Sequence, residues 1–197
     1  MVIKQQKVKM TFCCFCVNGS PYGKIPKSWR MTSLGSIVNI YTGNSINATE
    51  KKAHFSGVTG INYIATKDVK FDGSIDYDNG IKIPKNYLSK FKISRANSVL
   101  LCLEGGSAGR KIGLLEQDVC FGNKLCNLSF YVGENQLLYY FLQNPQFLSD
   151  FQDSKSGIIG GVSIKNLGNI TIPLSPQKEQ ERISYKVDLL FQKVNQL

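Results

Sequence analysis

The sequence is poor in the residues from which most catalytic and metal sites are made. It contains one histidine, His54, and its 14 acidic residues are outnumbered by 24 lysines and arginines. A single imidazole cannot complete a histidine-based metal site. Acidic residues with a nearby lysine, such as Glu104 with Lys111 or Asp68 with Lys70, are common by chance and do not make a nuclease pattern. We expect no catalytic residue, no metal and no cofactor in this chain.

Long apolar runs are also missing, and none approaches the ~18 residues of a membrane span. Lys4, Lys7 and Lys9 precede a short apolar stretch from Phe12 to Val17, an order typical of a signal peptide. The stretch is too short, and no convincing small-residue cleavage site follows it. We therefore expect a soluble, cytoplasmic protein without a membrane partner.

The six cysteines do not form a metal-binding pattern. Cys13, Cys14 and Cys16 crowd into one segment, whereas the other three, at positions 102, 120 and 126, lie in apolar runs typical of strands. Structural zinc usually needs two clusters of paired ligands, and the second cluster is missing here. Buried, reduced thiols are the interpretation that we prefer.

Positive charge is abundant, with a formal net charge of +10. Basic surfaces attract polyanions regardless of their sequence, so the charge favours nucleic acid or an acidic membrane as partner. A basic protein without such a partner has the same composition. Charge by itself does not separate these alternatives.

The distribution of apolar residues predicts an α+β fold. Residues 1–20 carry no acidic side chain and are interpreted as a linker or flexible segment, followed by a domain over 21–174 and a helical region over 175–197. Apolar runs predict strands at 31–34, 61–64, 75–83, 98–103, 112–115, 125–132 and 170–174. Two short helices separated by Pro145 are expected between residues 134 and 151.

Three segments are candidates for contact with nucleic acid. The first, residues 41–57, is rich in turn formers and is predicted to be an exposed loop that carries Lys51, Lys52 and His54. It is either a solvated excursion or a basic loop that reaches a DNA groove. Another segment, residues 155–165, carries the candidate contacts Lys155 and Lys165.

The remaining candidate segment is glycine-rich, from Gly105 to Gly109, and is followed by Arg110 and Lys111. Backbone amides beside a cation can cradle phosphate. The segment lacks the Gly-Lys-Ser/Thr ending of a P-loop and leads into an apolar run instead of a helix. It is either a tight hairpin turn or a DNA-backbone contact.

The segment Asn144-Pro145-Gln146-Phe147 invites comparison with the Asn-Pro-Pro-aromatic motif of adenine amino-methyltransferases. Its third position is glutamine, it lies within a helical pattern, and no glycine-rich cofactor loop precedes it. We interpret it as a helix break.

The chain ends on a predicted amphipathic helix. Ser175 and Pro176 place a capping hydroxyl before a proline that favours the first helical turn. Beyond them Ile183, Val187, Leu190, Val194 and Leu197 recur at alternating steps of four and three, which is typical of a coiled-coil seam. The seam predicts a partner helix.

The segment from Ile172 to Ile183, IPLSPQKEQERI, resembles the strand-to-helix junction of specificity subunits of type I restriction-modification enzymes. The pattern there is I-P-L-P-P-x-x-E-Q-x-x-I, and Ser175 replaces one proline. The segment from Ile25 to Trp29, with Leu34-Gly35 and Thr42-Gly43, is similar to the opening of that family's target recognition domain. The resemblance extends from Pro21 to Leu197.

The resemblance implies a strand-rich mixed recognition domain followed by a long coiled-coil-type helix. Such a subunit is expected to read one half of a bipartite site in double-stranded DNA and to do no chemistry. Modification (methyltransferase) subunits and a restriction subunit would be its partners, with a homodimer or a second half-subunit joined through the helix. A complete subunit has two recognition domains, whereas this chain has one. The alternatives are a stand-alone nuclease or adenine methyltransferase, and an interaction module that does not bind DNA.

Overall fold

The fold was determined from a computed structural model, which describes residues 22–156 and 160–194. Its strands are β1 (Arg30–Ser33), β2 (Val38–Thr42), β3 (Ile61–Ile64), β4 (Lys82–Ile83), β5 (Ile93–Ser94), β6 (Val99–Cys102), β7 (Ile112–Leu114), β8 (Val119–Phe121), β9 (Leu125–Phe130) and β10 (Thr171–Leu174). Its α-helices are α1 (Leu34–Ile37), α2 (Ala48–Glu50), α3 (Asn135–Phe141), α4 (Pro145–Asp153), α5 (Ile164–Asn169) and α6 (Gln177–Val194). The expected α+β fold with a long C-terminal helix is confirmed.

The strands form two larger sheets and one ribbon. An antiparallel sheet has the order β2-β9-β6-β7, and a mixed sheet has the order β4-β3-β8-β5, in which β3 and β8 run parallel. The ribbon pairs β1 with β10, so that Arg30 lies opposite Leu174. The first and last strands of the domain are therefore adjacent. Two residues separate the end of β10 from the start of α6.

Strand β6 is buried on both faces, which explains its uninterrupted apolar sequence. Val99 and Leu101 pack with helices α3 and α4 in one hydrophobic cluster. Leu100 and Cys102 point the other way and pack against residues of the mixed sheet, including Phe121. The strand thus joins the helical layer to the mixed sheet.

Helix α6 packs on its own domain through a largely polar face. Its buried residues are Gln180, Ser184 and Val187, and its packing partner is α3. The Tyr140 ring stacks on Phe191 with centroids 5.7 Å apart, and the Tyr140 hydroxyl donates a hydrogen bond to Asp188 Oδ1 at 2.7 Å. We call Tyr140, Asp188 and Phe191 the helix clasp.

Several segments differ from the sequence-based expectation. Only Lys82–Ile83 of the strand predicted over 75–83 is a β-strand, and β2, β5 and β8 were not predicted. Residues 41–57 are not simply an exposed loop, because they contain α2 and a π-helical turn over Lys51–Phe55 whose Phe55 is fully buried. The structure also contains a helix that the apolar pattern did not predict, α5, which Ser163 caps by accepting a hydrogen bond from Asn166 N. Across residues 22–156 and 160–194, no helix combines the length and hydrophobicity needed to cross a membrane.

Candidate nucleic-acid interface

The basic loop of the sequence folds into a lobe together with a segment that is distant along the chain. Phe55 packs edge-on against Tyr87 and Phe91, with centroids 5.2 and 5.6 Å away. Lys92 N donates a hydrogen bond to Asn44 Oδ1 at 2.8 Å, and Tyr63 Oη donates to Asn44 O at 2.7 Å. These contacts fasten residues 44–55 to residues 87–92 and to Tyr63 of β3.

Local sequence explains the shape of this lobe. A Cβ at Gly43 would lie 1.9 Å from the carbonyl oxygen of Phe121, so only glycine allows this close approach. Asn47 caps α2 by accepting a hydrogen bond from Glu50 N at 2.8 Å. The following π-helical turn directs Phe55 inward and leaves Lys52 and His54 exposed.

The lobe presents lysines beside aromatic rings. We define the lysine surface by five exposed or half-buried lysines: Lys51, Lys52, Lys85, Lys90 and Lys92. Three of their ammonium groups lie over tyrosines, at 5.7 Å from Tyr63, 5.6 Å from Tyr87 and 6.0 Å from Tyr41. Within the described residues, none of the five forms a salt bridge with a carboxylate. Their charge is therefore free to act on an external anion.

Tyr63 supports this surface as a neutral hydroxyl. Burial, helped by the negative charges that Cys120 and Asp68 can carry, raises the pKa of Tyr63 to about 12. Burial also raises the pKa of Tyr41. Both rings therefore keep their hydroxyl protons at neutral pH, and both hydroxyls donate to backbone carbonyls, Tyr63 to Asn44 and Tyr41 to Ile93.

Sequence reasoning missed three of the five residues of the lysine surface. It selected Lys51, Lys52 and His54, but not Lys85, Lys90 and Lys92. A signal was present, because five basic residues and no acidic residue occur between Asp78 and Glu104. The fold brings that basic segment to the predicted loop, and His54 joins the two by lying 5.7 Å from the Tyr87 ring.

The glycine-rich segment turns the β6–β7 hairpin, as one of its two interpretations predicted. Gly109 adopts a positive φ of 76° and approaches Phe151 of α4 so closely that a Cβ would lie 2.7 Å from the ring. The Arg110 guanidinium donates to Gly106 O, and Lys111 Nζ donates to Thr66 O at 2.8 Å. Both cations are therefore held by carbonyl oxygens, and within residues 22–156 and 160–194 neither forms a salt bridge with a carboxylate.

The last two predicted contacts lie near the same hairpin. Lys155 follows α4, Lys165 lies on α5, and Asn166 Nδ2 of α5 donates to Ser154 O at 3.2 Å. Gly161 forms a bridge with Glu104, and Gln152 Nε2 donates to Ala108 O at 3.5 Å. The seven predicted DNA contacts thus fall into two groups, one in the lobe and one around the glycine-rich hairpin.

The predicted helix seam is divided by the fold. Val187 is buried, whereas Leu190 and Val194 are 58% and 47% exposed. Ile183 is half-buried, and Leu197 lies outside the described residues. A partner helix therefore stays a prediction for the exposed positions only.

The motif compared with methyltransferases has a structural role. Asn144 caps α4 by accepting a hydrogen bond from Gln146 N at 2.8 Å, and Pro145 occupies the first helical turn. In the described part of the chain no three His, Cys, Asp or Glu side chains come together as a metal site, and Cys102, Cys120 and Cys126 are buried free thiols. Burial raises the pKa of all three.

The chain resembles proteins of one family in both sequence and fold. A family model described as the type I restriction modification DNA specificity domain matches residues 26–196. The type I restriction enzyme EcoAI specificity subunit of Escherichia coli is 25% identical, over 88% of this chain and 30% of that protein.

Two solved structures have a similar fold. One belongs to a study of complex assembly and conformational transition of the type I R-M system, with a TM-score of 0.69 and 23% identity over 90% of this chain and 42% of that one. The other is the HsdS subunit from Thermoanaerobacter tengcongensis, with a TM-score of 0.67 and 22% identity over 90% of this chain and 40% of that one. The chain spans less than half of each of these relatives.

Proposed function

Since this chain belongs to the family of type I restriction-modification DNA specificity domains, we propose that it binds duplex DNA and reads one half of a bipartite target site. Residues 21–174 act as the recognition domain, and residues 175–197 act as a helical spacer. The chain contributes recognition, and separate modification and restriction subunits contribute the chemistry.

The lysine surface is the observation that carries this proposal. Three of its five ammonium groups lie over tyrosine rings, and none of the five has a carboxylate partner among the described residues. Contacts with phosphates position a protein on duplex DNA without reading sequence. The cations around the glycine-rich hairpin, Arg110, Lys111, Lys155 and Lys165, provide further phosphate contacts.

Base reading falls to polar side chains next to these cations. In the lobe, Asn44 and Asn47 are occupied by structural hydrogen bonds. This leaves the exposed Ser45, Thr49 and His54 to face base edges in the major groove. Polar side chains of residues 155–165 read neighbouring bases.

The exposed apolar residues at the end of α6 indicate the kind of partner that we propose. Leu190 and Val194 are exposed apolar residues near its end, and a second helix that covers them would belong to another recognition half, either a second copy or a second half-subunit. Two antiparallel helices would hold the two recognition domains apart and offer a platform to the modification subunits.

A duplex-binding titration at several salt concentrations tests the proposal. We expect the logarithm of the affinity to fall linearly with the logarithm of salt concentration, because each phosphate contact releases counterions. The double substitution Lys51→Ala/Lys52→Ala should weaken binding to all sequences alike and reduce the slope by up to about 2, at ~0.9 per lost contact. Lys178→Ala/Lys186→Ala removes the same charge from exposed positions of α6 and serves as the matched control.

Binding that barely changed between low and high salt would contradict the proposal. No binding at physiological salt would favour an interaction module without DNA. Cleavage that requires a divalent metal, or binding of S-adenosylmethionine by the purified chain, would establish the enzyme alternatives.

A further inference from the structure

One aromatic side chain of the domain is exposed at the tip of a tightly held turn. Phe71 is 63% exposed, although burying a phenylalanine is worth ~1.5–3 kcal/mol. Val69, two residues before Phe71, is fully buried and forms a β-bridge with Ile75. The core thus fixes the base of the turn while its tip stays in solvent.

Several short-range contacts hold the tip. Gly73 N donates to Lys70 O at 3.3 Å, and Ser74 donates to Asp72 Oδ1 from its amide at 2.9 Å and from its hydroxyl at 2.7 Å. Gly73 has a φ of 90°, and a Cβ there would lie 2.2 Å from the Tyr139 hydroxyl. Because the turn packs on α3 and is closed by its own hydrogen bonds, it holds Phe71 in a fixed position.

Two cations from a different segment accompany the ring. The Arg110 guanidinium lies 5.3 Å from the Phe71 centroid, and Lys111 Nζ lies 5.2 Å from it. Their hydrogen bonds go to Gly106 O and Thr66 O, and neither cation forms a salt bridge with a carboxylate in the part of the chain that the structure describes. Asp72, the acidic residue that follows Phe71, accepts hydrogen bonds from Ser74, and these hydrogen bonds lower the pKa of Asp72.

We propose that Phe71, Arg110 and Lys111 form a wedge that binds duplex DNA, with the ring against the bases in a groove and the two cations on the flanking phosphates. This inference rests on the proposed function and adds an apolar contact with the bases to it. An exposed ring in a rigid turn can make apolar contacts with thymine methyl groups or enter a base step. The neighbouring cations would offset the phosphate charge that such an approach meets.

Photo-crosslinking locates the ring on the DNA without knowledge of the target sequence. The probe is a pool of random duplexes in which 5-iodouracil replaces thymine, irradiated with the whole chain and analysed by peptide mass spectrometry. We expect a crosslink at Phe71. Tyr131 is an equally exposed ring, 64%, at the turn after β9, and it should stay unmodified.

Binding measurements separate the apolar contact from the charges. Phe71→Ala should weaken duplex binding roughly tenfold, equivalent to about 1.4 kcal/mol, without changing the salt slope. Phe71→Leu should keep part of the affinity. Arg110→Ala should reduce the slope by about 0.9, and Tyr131→Ala should change neither quantity. Thermal unfolding verifies that each variant folds.

The two proposals fail in different ways. If the wild-type chain does not bind duplex DNA, the proposed function itself is overturned. If the wild-type chain binds with the expected salt dependence, but Phe71 is not crosslinked and Phe71→Ala binds as tightly as Tyr131→Ala, the wedge is overturned and the lysine surface stands.

Discussion

At the scale of single residues, the buried Asp68 organises the segment that carries Phe71. Its Oδ2 accepts hydrogen bonds at 2.8 Å from Ala65 N and from Asn79 Nδ2, and the same Asn79 amide donates to Tyr63 O at 2.8 Å. Asp68 is only 3% exposed. A carboxylate inside this network connects β3, the Phe71 turn and the approach to β4.

Replacing this carboxylate should destabilise the fold. We expect Asp68→Ala to lower the free energy of unfolding by about 3 kcal/mol, because it removes two hydrogen bonds to a buried acceptor and leaves Ala65 N and Asn79 without that partner. Urea denaturation measures the change. Asp78→Ala, at an exposed position of the same segment, should stay within about 0.5 kcal/mol of the wild type, and an equal loss in both variants would contradict the role of Asp68.

At the scale of elements, apolar periodicity predicted what packs through apolar contacts. The buried run of β6, the β6–β7 hairpin, the break between α3 and α4 and the start of α6 were all predictable from residue type and spacing. The predicted cap of α6 is wrong, because the buried Ser175 hydroxyl has no hydrogen-bond partner among the described residues. The docking face of α6 was not, because two of its three buried residues are the polar Gln180 and Ser184. A pattern of apolar residues alone cannot indicate a polar contact.

The candidate interface shows the same division. The sequence predicted the charge on Lys51 and Lys52, which composition records directly. It did not predict that residues 82–93 join them, because that pairing depends on Phe55, a single aromatic residue in a segment of turn formers. Nor does a sequence indicate that Phe71 stays exposed, since aromatic residues are usually buried.

The helix clasp predicts a dependence of stability on alkaline pH. Burial first, and then the hydrogen bond to Asp188, raise the pKa of Tyr140 to about 12, from an ordinary value of about 10. The folded state thus favours the neutral phenol, so this contribution to stability is complete below pH ~10 and is lost as pH rises towards ~12.

Thermal unfolding of the wild type and of Tyr140→Phe measures the clasp. The wild type should be the more stable below pH 10, and the difference should shrink between pH 10 and 12. Tyr185→Phe, an exposed tyrosine of the same helix, is the control and should follow the wild type. A constant difference between wild type and Tyr140→Phe across this range would show that the Tyr140 hydroxyl does not stabilise the fold.

At the scale of the whole molecule, the +10 charge is concentrated in particular segments and is not spread evenly. Every charged residue from 79 to 103 is a lysine or an arginine. The fold places the lobe residues Lys51 and Lys52 beside this segment. Helix α6 carries both signs, including a salt bridge between Arg182 and Glu179. This distribution agrees with the proposed function, in which the domain binds DNA and the helix binds a protein partner.

Self-association should depend on the exposed end of α6. We expect Leu190→Asp to abolish association with a second copy or with a partner subunit, because it places a charge in the apolar contact. Sedimentation of the variant measures the mass. Gln192→Asp adds the same charge at a polar, exposed position two residues away and should associate as the wild type does. An unchanged mass for Leu190→Asp, with the wild type associated, would exclude this contact.

The β1–β10 ribbon has an evolutionary consequence. Because Arg30 and Leu174 lie side by side, the residues between these strands form a closed excursion that leaves the path into α6 undisturbed. A different excursion of the same kind, exchanged by recombination at the ribbon, would keep α6 in place if it supplied a contact equivalent to that of Tyr140 in the helix clasp. Under the proposed function, new target sequences could then be acquired by exchanging one cassette, without any change in the proteins that cut or modify the DNA.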